Sequence, residues 1–243
     1  IKIFGLGGFG EIGKNFFCLQ VNRSIFILDA GLKYPTQQQF GIDSIIADYS
    51  TLLAHKDQIQ AIFLSSFKDE NIGALPFLLK QINVPVFATE LTIYQIKQTL
   101  AETPDFDIAQ VEFKEIKKGT TVDFPDCSFS FYFTSSALPE SVGIIAQTQL
   151  GKIIYTGSFS LNKTPHPRYQ TEFSALMQAA LAKDTLALLP DCSGVSQLTT
   201  SFTQDKYQAF LTSVFKNTLG RLFFAVADTD IKRIQEIITW AER

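Results

Sequence analysis

The chain has 243 residues, of which 46% are hydrophobic and 19% charged. That balance excludes a disordered or collagen-like polymer and suffices for one large domain, or for one domain with part of a second. A net charge of −3 gives no overall basic footprint for nucleic acid, although a local groove can be basic where the whole is not.

Ile1–Phe4 reads as a strand leading into the glycine turn Gly5-Leu6-Gly7-Gly8-Phe9-Gly10. Asn15–Val21 and Ser24–Leu28 are apolar runs split by the polar pair Asn22-Arg23, which is hairpin chemistry. A short helix is expected over Asp48–His55, a buried strand over Ala61–Leu64 and a helix over Asn71–Gln81, with Pro76 early enough to be tolerated. Pro85–Ala88 reads as a strand and Leu91–Leu100 as a helix. In Ser128–Thr134 the alternation of Phe129, Phe131 and Phe133 marks a half-buried strand. Val142–Thr148 and Lys152–Tyr155 form a hairpin over Gln149-Leu150-Gly151, followed by a helix over Glu172–Ala182 and a strand over Thr185–Leu189. After a polar stretch (Ser193–Thr203), Tyr207, Phe210, Leu211, Val214 and Phe215 fall at helical spacing. Arg221–Val226 then reads as a strand, and Ile231, Ile234 and Ile238 line a last helix. Nine or ten strands mixed with five or six helices favour an α/β fold of two sheets with helices outside, over a doubly wound parallel sheet. The composition shift sets a domain boundary near residue 195.

Two motifs are set aside on context. Gly5 to Gly10 fits G-x-G-x-x-G, but Glu11-Ile12-Gly13-Lys14-Asn15 predicts no helix behind it, so a phosphate site lacks its helix dipole. Ser65-Ser66-Phe67-Lys68 fits the S-x-x-K of serine acyl-enzymes without the accompanying S-D-N and K-T-G elements. Cys18, Cys127 and Cys192 show no C-x-x-C spacing and point to a reducing cytoplasm. Neither a membrane span nor a signal peptide is expected. Only two histidines, His55 and His166, are available to any metal site, and both read as ordinary surface or loop residues.

The segment from Phe63 through Ser65-Ser66-Phe67-Lys68-Asp69-Glu70-Asn71 to Ile72-Gly73-Ala74-Leu75-Pro76 resembles the strand–loop–helix of metallo-β-lactamase-fold hydrolases, where H-x-H-x-D-H precedes I-G-A-L-P. With it come Gly7–Asn15, Phe26–Leu32, Gly41-Ile42-Asp43, Asn83–Val86, Pro139–Gly143 and Tyr155–Phe159. Together these resemble the ribonuclease J family, and Leu188-Leu189-Pro190-Asp191 resembles the first motif of its β-CASP insertion, at Asp191. The resemblance implies an αβ/βα metallo-β-lactamase sandwich over residues 1–195 and the start of a β-CASP α/β domain over 196–243. It also implies a family chemistry of RNA hydrolysis by water activated on two zinc ions.

The family's metal ligands would fall at Ser66, Lys68, Glu70, Asn71, Ser136 and Ser158, none of them histidine. Hydroxyls, an amide and an ammonium are poor zinc donors, so no cofactor is expected. An ion pair of Lys68 with Glu70 is expected where metal would sit. Lys68, Ser135, Ser136 and Ser158 are candidate phosphate contacts, because hydroxyls and an ammonium bind phosphate oxygens without activating water. The expectation is a non-catalytic, cytoplasmic member that assembles with itself or with an active ribonuclease J-type subunit, binds RNA and touches no membrane. The alternative is an active hydrolase with a displaced cation at Glu70, close to Asp29, Asp69 and Asp191.

Overall fold

The computed structural model describes residues 1–36, 39–160, 169–195 and 204–242. His166 and most of the polar stretch before the last two helices lie outside the described residues. β1 (Lys2–Gly7), β2 (Phe16–Val21) and β3 (Ser24–Leu28) form an antiparallel meander, and Asn22 supplies the positive φ of 54° that its second turn needs. β4 (Leu32–Lys33) pairs with β5 (Ile45–Ile46) as a small ribbon. After α1 (Ser50–Leu53), the strands β6 (Ile59–Phe63), β7 (Val86–Ala88) and β8 (Phe113–Glu115) add in parallel beyond β3. Their connections carry α2 (Asp69–Ile72), α3 (Leu75–Leu79) and α4 (Glu90–Ala101). The result is a six-stranded sheet in the order β1-β2-β3-β6-β7-β8.

A second sheet has five strands, ordered β13-β12-β11-β10-β9. β9 (Thr121–Phe124), β10 (Cys127–Phe133), β11 (Val142–Thr148) and β12 (Lys152–Tyr155) run antiparallel. The β11–β12 turn is the expected Gln149-Leu150-Gly151. α5 (Phe173–Ala180) then allows β13 (Thr185–Leu189) to join parallel to β12. α6 (Gln204–Asn217) and α7 (Ile231–Ala241) follow.

Strand periodicity of two explains the layering. Along β3, Ile25 and Ile27 enter the core beneath the helices, while Phe26 and Leu28 enter the core between the sheets. β6 divides likewise, with Ile62 on the helix side and Ala61 and Phe63 on the sheet side. Burial on both faces is why these strands read as continuous apolar runs. The inter-sheet layer is aromatic: Phe63 lies 4.3 Å from Phe129 and 5.0 Å from Phe87, and Phe26 lies 4.8 Å from both Phe124 and Phe129. Tyr132, on the opposite face of β10, joins Ile154, Leu176 and Ala179 beneath α5. The layers are therefore helices, sheet, sheet, helix.

Several expectations are corrected. The helix over Asn71–Gln81 is two helices, because Gly73 is pressed against Leu32 and Pro76 in the first turn of α3 has no N–H to continue the ladder. Phe129 is fully buried and Phe131 packs on the same core, but Phe133 is only partly covered at the strand's end. Arg221–Val226 is not a strand. It has no hydrogen-bonded neighbour among the described residues, and Phe224 stacks on Phe215 of α6 at 5.6 Å instead. The short strands β4, β5, β8 and β9 were not expected, since two to four residues carry too little alternation to be read. No helix follows Gly10, as expected.

Phe63→Ala removes the ring at the centre of the inter-sheet layer. It should destabilise the protein by about 3–5 kcal/mol, read as a lower urea midpoint with an unchanged slope.

Candidate functional site

The loops at the carboxyl ends of β3, β6 and β12 meet around one acidic side chain. Asp29 follows β3 directly, with a φ of 62°, and its side chain is 0% exposed. Its carboxylate accepts from the Ser65 N–H (2.8 Å), the Ser65 hydroxyl (2.8 Å), Asn71 Nδ2 (2.6 Å) and the Tyr155 hydroxyl (2.6 Å). Burial pushes its pKa above the usual carboxylate value, while the four donors pull the other way. The Tyr155 hydroxyl is raised well above its ordinary value by burial and by the facing Asp29.

The neighbouring backbone approaches closely enough to demand glycine. A Cβ at Gly31 would sit 1.6 Å from the Glu70 carbonyl, so no side chain fits there. At Gly157, with φ +55°, a Cβ would meet Ser65 at 2.7 Å. The Asn15 N–H donates to the Glu70 carbonyl, and the Val142 N–H to the Ser65 carbonyl. These bonds hold the loops after β1, β6 and β10 in one cluster.

The residues singled out in the sequence divide into three groups. Ser66 and Asn71 are buried, with the Ser66 hydroxyl donating to Asn71 Oδ1 at 3.2 Å, and they belong to the Asp29 network. The Lys68 ammonium donates to the Ser158 hydroxyl at 3.3 Å, linking the loop after β6 to the loop after β12. Ser136 turns back into its own loop, 2.7 Å from the Ser141 hydroxyl and 3.0 Å from the Leu138 carbonyl. Ser135 is 1% exposed, and its hydroxyl has no hydrogen-bond partner. Asp191 is exposed; its N–H donates to Thr156 Oγ1, and its carboxylate accepts from the Ser193 N–H.

The expected Lys68–Glu70 ion pair does not form. No carboxylate lies within 4.0 Å of the Lys68 ammonium among the described residues. The reason is local: Lys68 is the extended residue before α2, Glu70 is two positions on, and side chains two apart do not face each other on a helix. Asp69 is held by the Tyr34 hydroxyl at 2.6 Å instead. Among the described residues, no three His, Cys, Asp or Glu side chains come together as a metal-holding group. The sequence places Asp29 near a displaced cation at Glu70 or as a turn-fixing carboxylate, and gives no sign of Ser65 and Tyr155 as its partners. The available signal is a lone acid directly after the apolar run Ile25–Leu28.

Two packed mixed sheets flanked by helices, with the polar cluster at their strand ends, define a metallo-β-lactamase fold. A metallo-β-lactamase variant from Cronobacter sakazakii aligns with TM-score 0.50 over 79% of this chain and 78% of that one, at 14% identity. A protein of unknown function from Enterococcus faecalis V583 aligns with TM-score 0.72 over 98% of this chain and 62% of that one, also at 14% identity. No protein-family model matches the chain. In sequence it is 35% identical over 238 residues to ribonuclease J 2 of Streptococcus pyogenes serotype M3, covering 98% of this chain and 42% of the relative. Ribonuclease J2 of Bacillus subtilis is 32% identical over 98% of this chain and 42% of that relative. Ribonuclease J 1 of the same streptococcus is 33% identical over 97% of this chain and 41% of that relative. The chain belongs to the ribonuclease J family. It spans about two-fifths of the length of the curated relatives it matches.

Asp29→Ala strands the Ser65 N–H, Asn71 Nδ2 and the Tyr155 hydroxyl in the interior, and should destabilise by about 3–5 kcal/mol, given ~1–3 for each unpaired donor with partial relaxation. The raised pKa adds a pH signature. The folded state holds the Asp29 proton more tightly than the unfolded chain does, so this contribution is full below about pH 4 and is lost as pH rises through the folded value. Asp29→Asn cannot titrate. Urea midpoints measured from pH 4 to pH 7 should therefore fall for the parent relative to Asp29→Asn.

Proposed function

We propose that this chain is a non-catalytic ribonuclease J-type subunit that binds RNA and assembles with itself or with an active ribonuclease J-type partner. The observation that carries the reading is the Lys68 ammonium, 3.3 Å from the Ser158 hydroxyl, with no carboxylate within 4.0 Å among the described residues. Under the resemblance, Ser66, Lys68, Glu70, Asn71, Ser136 and Ser158 stand where ligands of two zinc ions would be. That donor set does not fit zinc, which takes deprotonated nitrogen, sulfur or carboxylate donors. Asn71 and Ser66 are buried and engaged in the Asp29 network, Ser136 is engaged in its own loop, and Glu70 is the one carboxylate of the six. An ammonium at that place repels a cation by about 4 kcal/mol per unit charge at 4 Å and an effective dielectric of 20.

The same groups suit an anion. Lys68 and Ser158 offer an ammonium and a hydroxyl to a phosphodiester and supply no base to activate water, whereas the Ser135 hydroxyl is buried and the Ser136 hydroxyl is held in its own loop. The family's β-CASP insertion gives the domain reading. Residues 1–195 form the metallo-β-lactamase part, and residues 196–243, with Asp191 just before them, begin the insertion. The three thiols are free, and burial pushes Cys18 and Cys127 up to about 12, in keeping with a reducing cytoplasm. No helix among the described residues is long and apolar enough to cross a membrane.

The test combines element analysis of the purified protein with an RNA-cleavage assay in Mg²⁺, Mn²⁺ and Zn²⁺ and RNA-binding titrations at several salt concentrations. The expected result is no stoichiometric zinc, no metal-dependent cleavage and salt-sensitive RNA binding. Lys68→Ala should weaken that binding and lower the salt slope by about 0.7, while leaving stability within about 0.5 kcal/mol of the parent. Two tightly bound metal ions, or cleavage abolished by Glu70→Ala, would overturn the non-catalytic reading.

A further inference from the structure

With no helix behind the G-x-G-x-x-G run, the loop after β1 builds something other than a helix-dipole phosphate site. Gly8 and Gly10 have φ of 80° and 66°, a left-handed backbone that glycine adopts readily, and they flank Phe9. The Phe9 ring lies against Gly5, where a Cβ would stand 1.9 Å from its Cε2 atom, and its centroid is 4.9 Å from that of Phe17. Phe17 in turn lies 5.4 Å from Tyr155, whose hydroxyl donates to Asp29. Three glycines and a second ring therefore hold Phe9 beside the strand ends, and Phe9 is still 61% exposed.

A phenylalanine stabilises a fold through the area it buries, so a ring held in place but left in water contributes little to stability. What it offers is a flat π-face. The charges around it have one sign in excess. The Glu11 carboxylate takes the Lys14 ammonium and the Lys33 ammonium, each at 3.2 Å, and is hydrogen-bonded by the backbone of Gly8 as well. Two ammoniums thus share one carboxylate, and the trio carries one net positive charge against the residue that precedes Phe9. The same loop is tied to the site: the Lys14 N–H donates to the Leu32 carbonyl and the Asn15 N–H to the Glu70 carbonyl of α2, each at 2.9 Å. An exposed aromatic beside excess positive charge is the combination by which proteins stack the bases of a single strand while tracking its backbone.

We infer that Phe9 is a base-stacking platform for single-stranded RNA, with the Lys14–Glu11–Lys33 cluster supplying positive charge for the phosphate beside it. This rests on the RNA-binding reading proposed above and deepens it: Lys68 and Ser158 answer the phosphate alone, whereas an aromatic face contacts the base. Every base has a π-face, so the contact tolerates any sequence, but it needs a base that is free of its own stack. The glycine loop therefore selects unpaired RNA rather than a particular base.

Fluorescence-anisotropy titrations of the full chain with a single-stranded oligoribonucleotide, with an RNA duplex and with inorganic polyphosphate test the inference. Phe9→Ala should weaken binding of the single strand about 5- to 150-fold. The slope of log K against log salt should stay as in the parent, because stacking releases no counterions. Binding of the duplex, whose bases are already stacked, and of polyphosphate, which has none, should be the same for Phe9→Ala and the parent. Phe9→Trp should keep the parent's affinity, while Phe9→Leu, apolar but without a π-face, should resemble Phe9→Ala. If the parent binds the single strand and Phe9→Ala binds it equally well, the inference fails and the wider reading stands. If the parent binds no RNA, both fail. Equal losses for RNA and polyphosphate, or a lowered thermal midpoint that Phe9→Leu restores together with affinity, would make Phe9 a structural residue and overturn the inference. The same holds if Phe9→Ala leaves RNA affinity intact and lowers the sedimentation coefficient, which would assign the ring to a protein interface.

Discussion

The Asp29 carboxylate is the knot on which the architecture closes. It ends β3 of one sheet, and it accepts hydrogen bonds from the loop after β6, from α2 and from Tyr155 at the end of β12 in the other sheet. A buried carboxylate is costly unless nearly every lone pair is used. Four donors at 2.6–2.8 Å meet that demand, and in meeting it they fix where three separate loops must lie. Gly31 and Gly157 complete the constraint, because the backbone and Ser65 leave no space for a side chain at either position.

The aromatic layer supplies the apolar half of the same junction. Tyr155 carries its hydroxyl to Asp29 while its ring lies 5.4 Å from Phe17, which lies 4.9 Å from the exposed Phe9 of the glycine loop. Phe26, Phe63 and Phe129 continue the layer between the sheets, joined there by Phe17, Phe87, Phe124 and Phe131. The polar network at the strand ends therefore sits on a rigid, close-packed base, where small displacements are resisted. This is a setting suited to holding a ligand in a fixed geometry.

Electrostatics separates the proposed reading from the family's hydrolytic one. A site that organises two divalent ions needs converging carboxylates and imidazoles. Here the convergent acid is sealed inside the scaffold, and the group that links the loops after β6 and β12 is an ammonium. On the proposed reading, such a cleft binds a phosphodiester and leaves it intact, because binding a ground state without activating a nucleophile does not lower the barrier.

The sequence by itself determined the strands of the double-faced core, since the runs Phe16–Val21, Ser24–Leu28, Val142–Thr148 and Lys152–Tyr155 are set by local patterning and by the turns between them. It also determined the family, carried by segments such as Gly7–Asn15 and Phe63–Pro76 in order along the chain. That Ser66, Lys68, Ser136 and Ser158 stand where the family's metal ligands would fall is a reading the resemblance implies. Only the tertiary structure decided what those residues touch. Whether Lys68 meets Glu70 or Ser158, whether Ser136 faces the cleft or its own loop, and whether Arg221–Val226 has a strand to pair with all depend on groups far away in the chain. The same holds for Asp29, whose three partner residues lie 36, 42 and 126 positions away. Periodicity reports which face of an element is apolar, but a polar side chain's partner is chosen by the elements that packing brings beside it, and that choice is not written in local sequence.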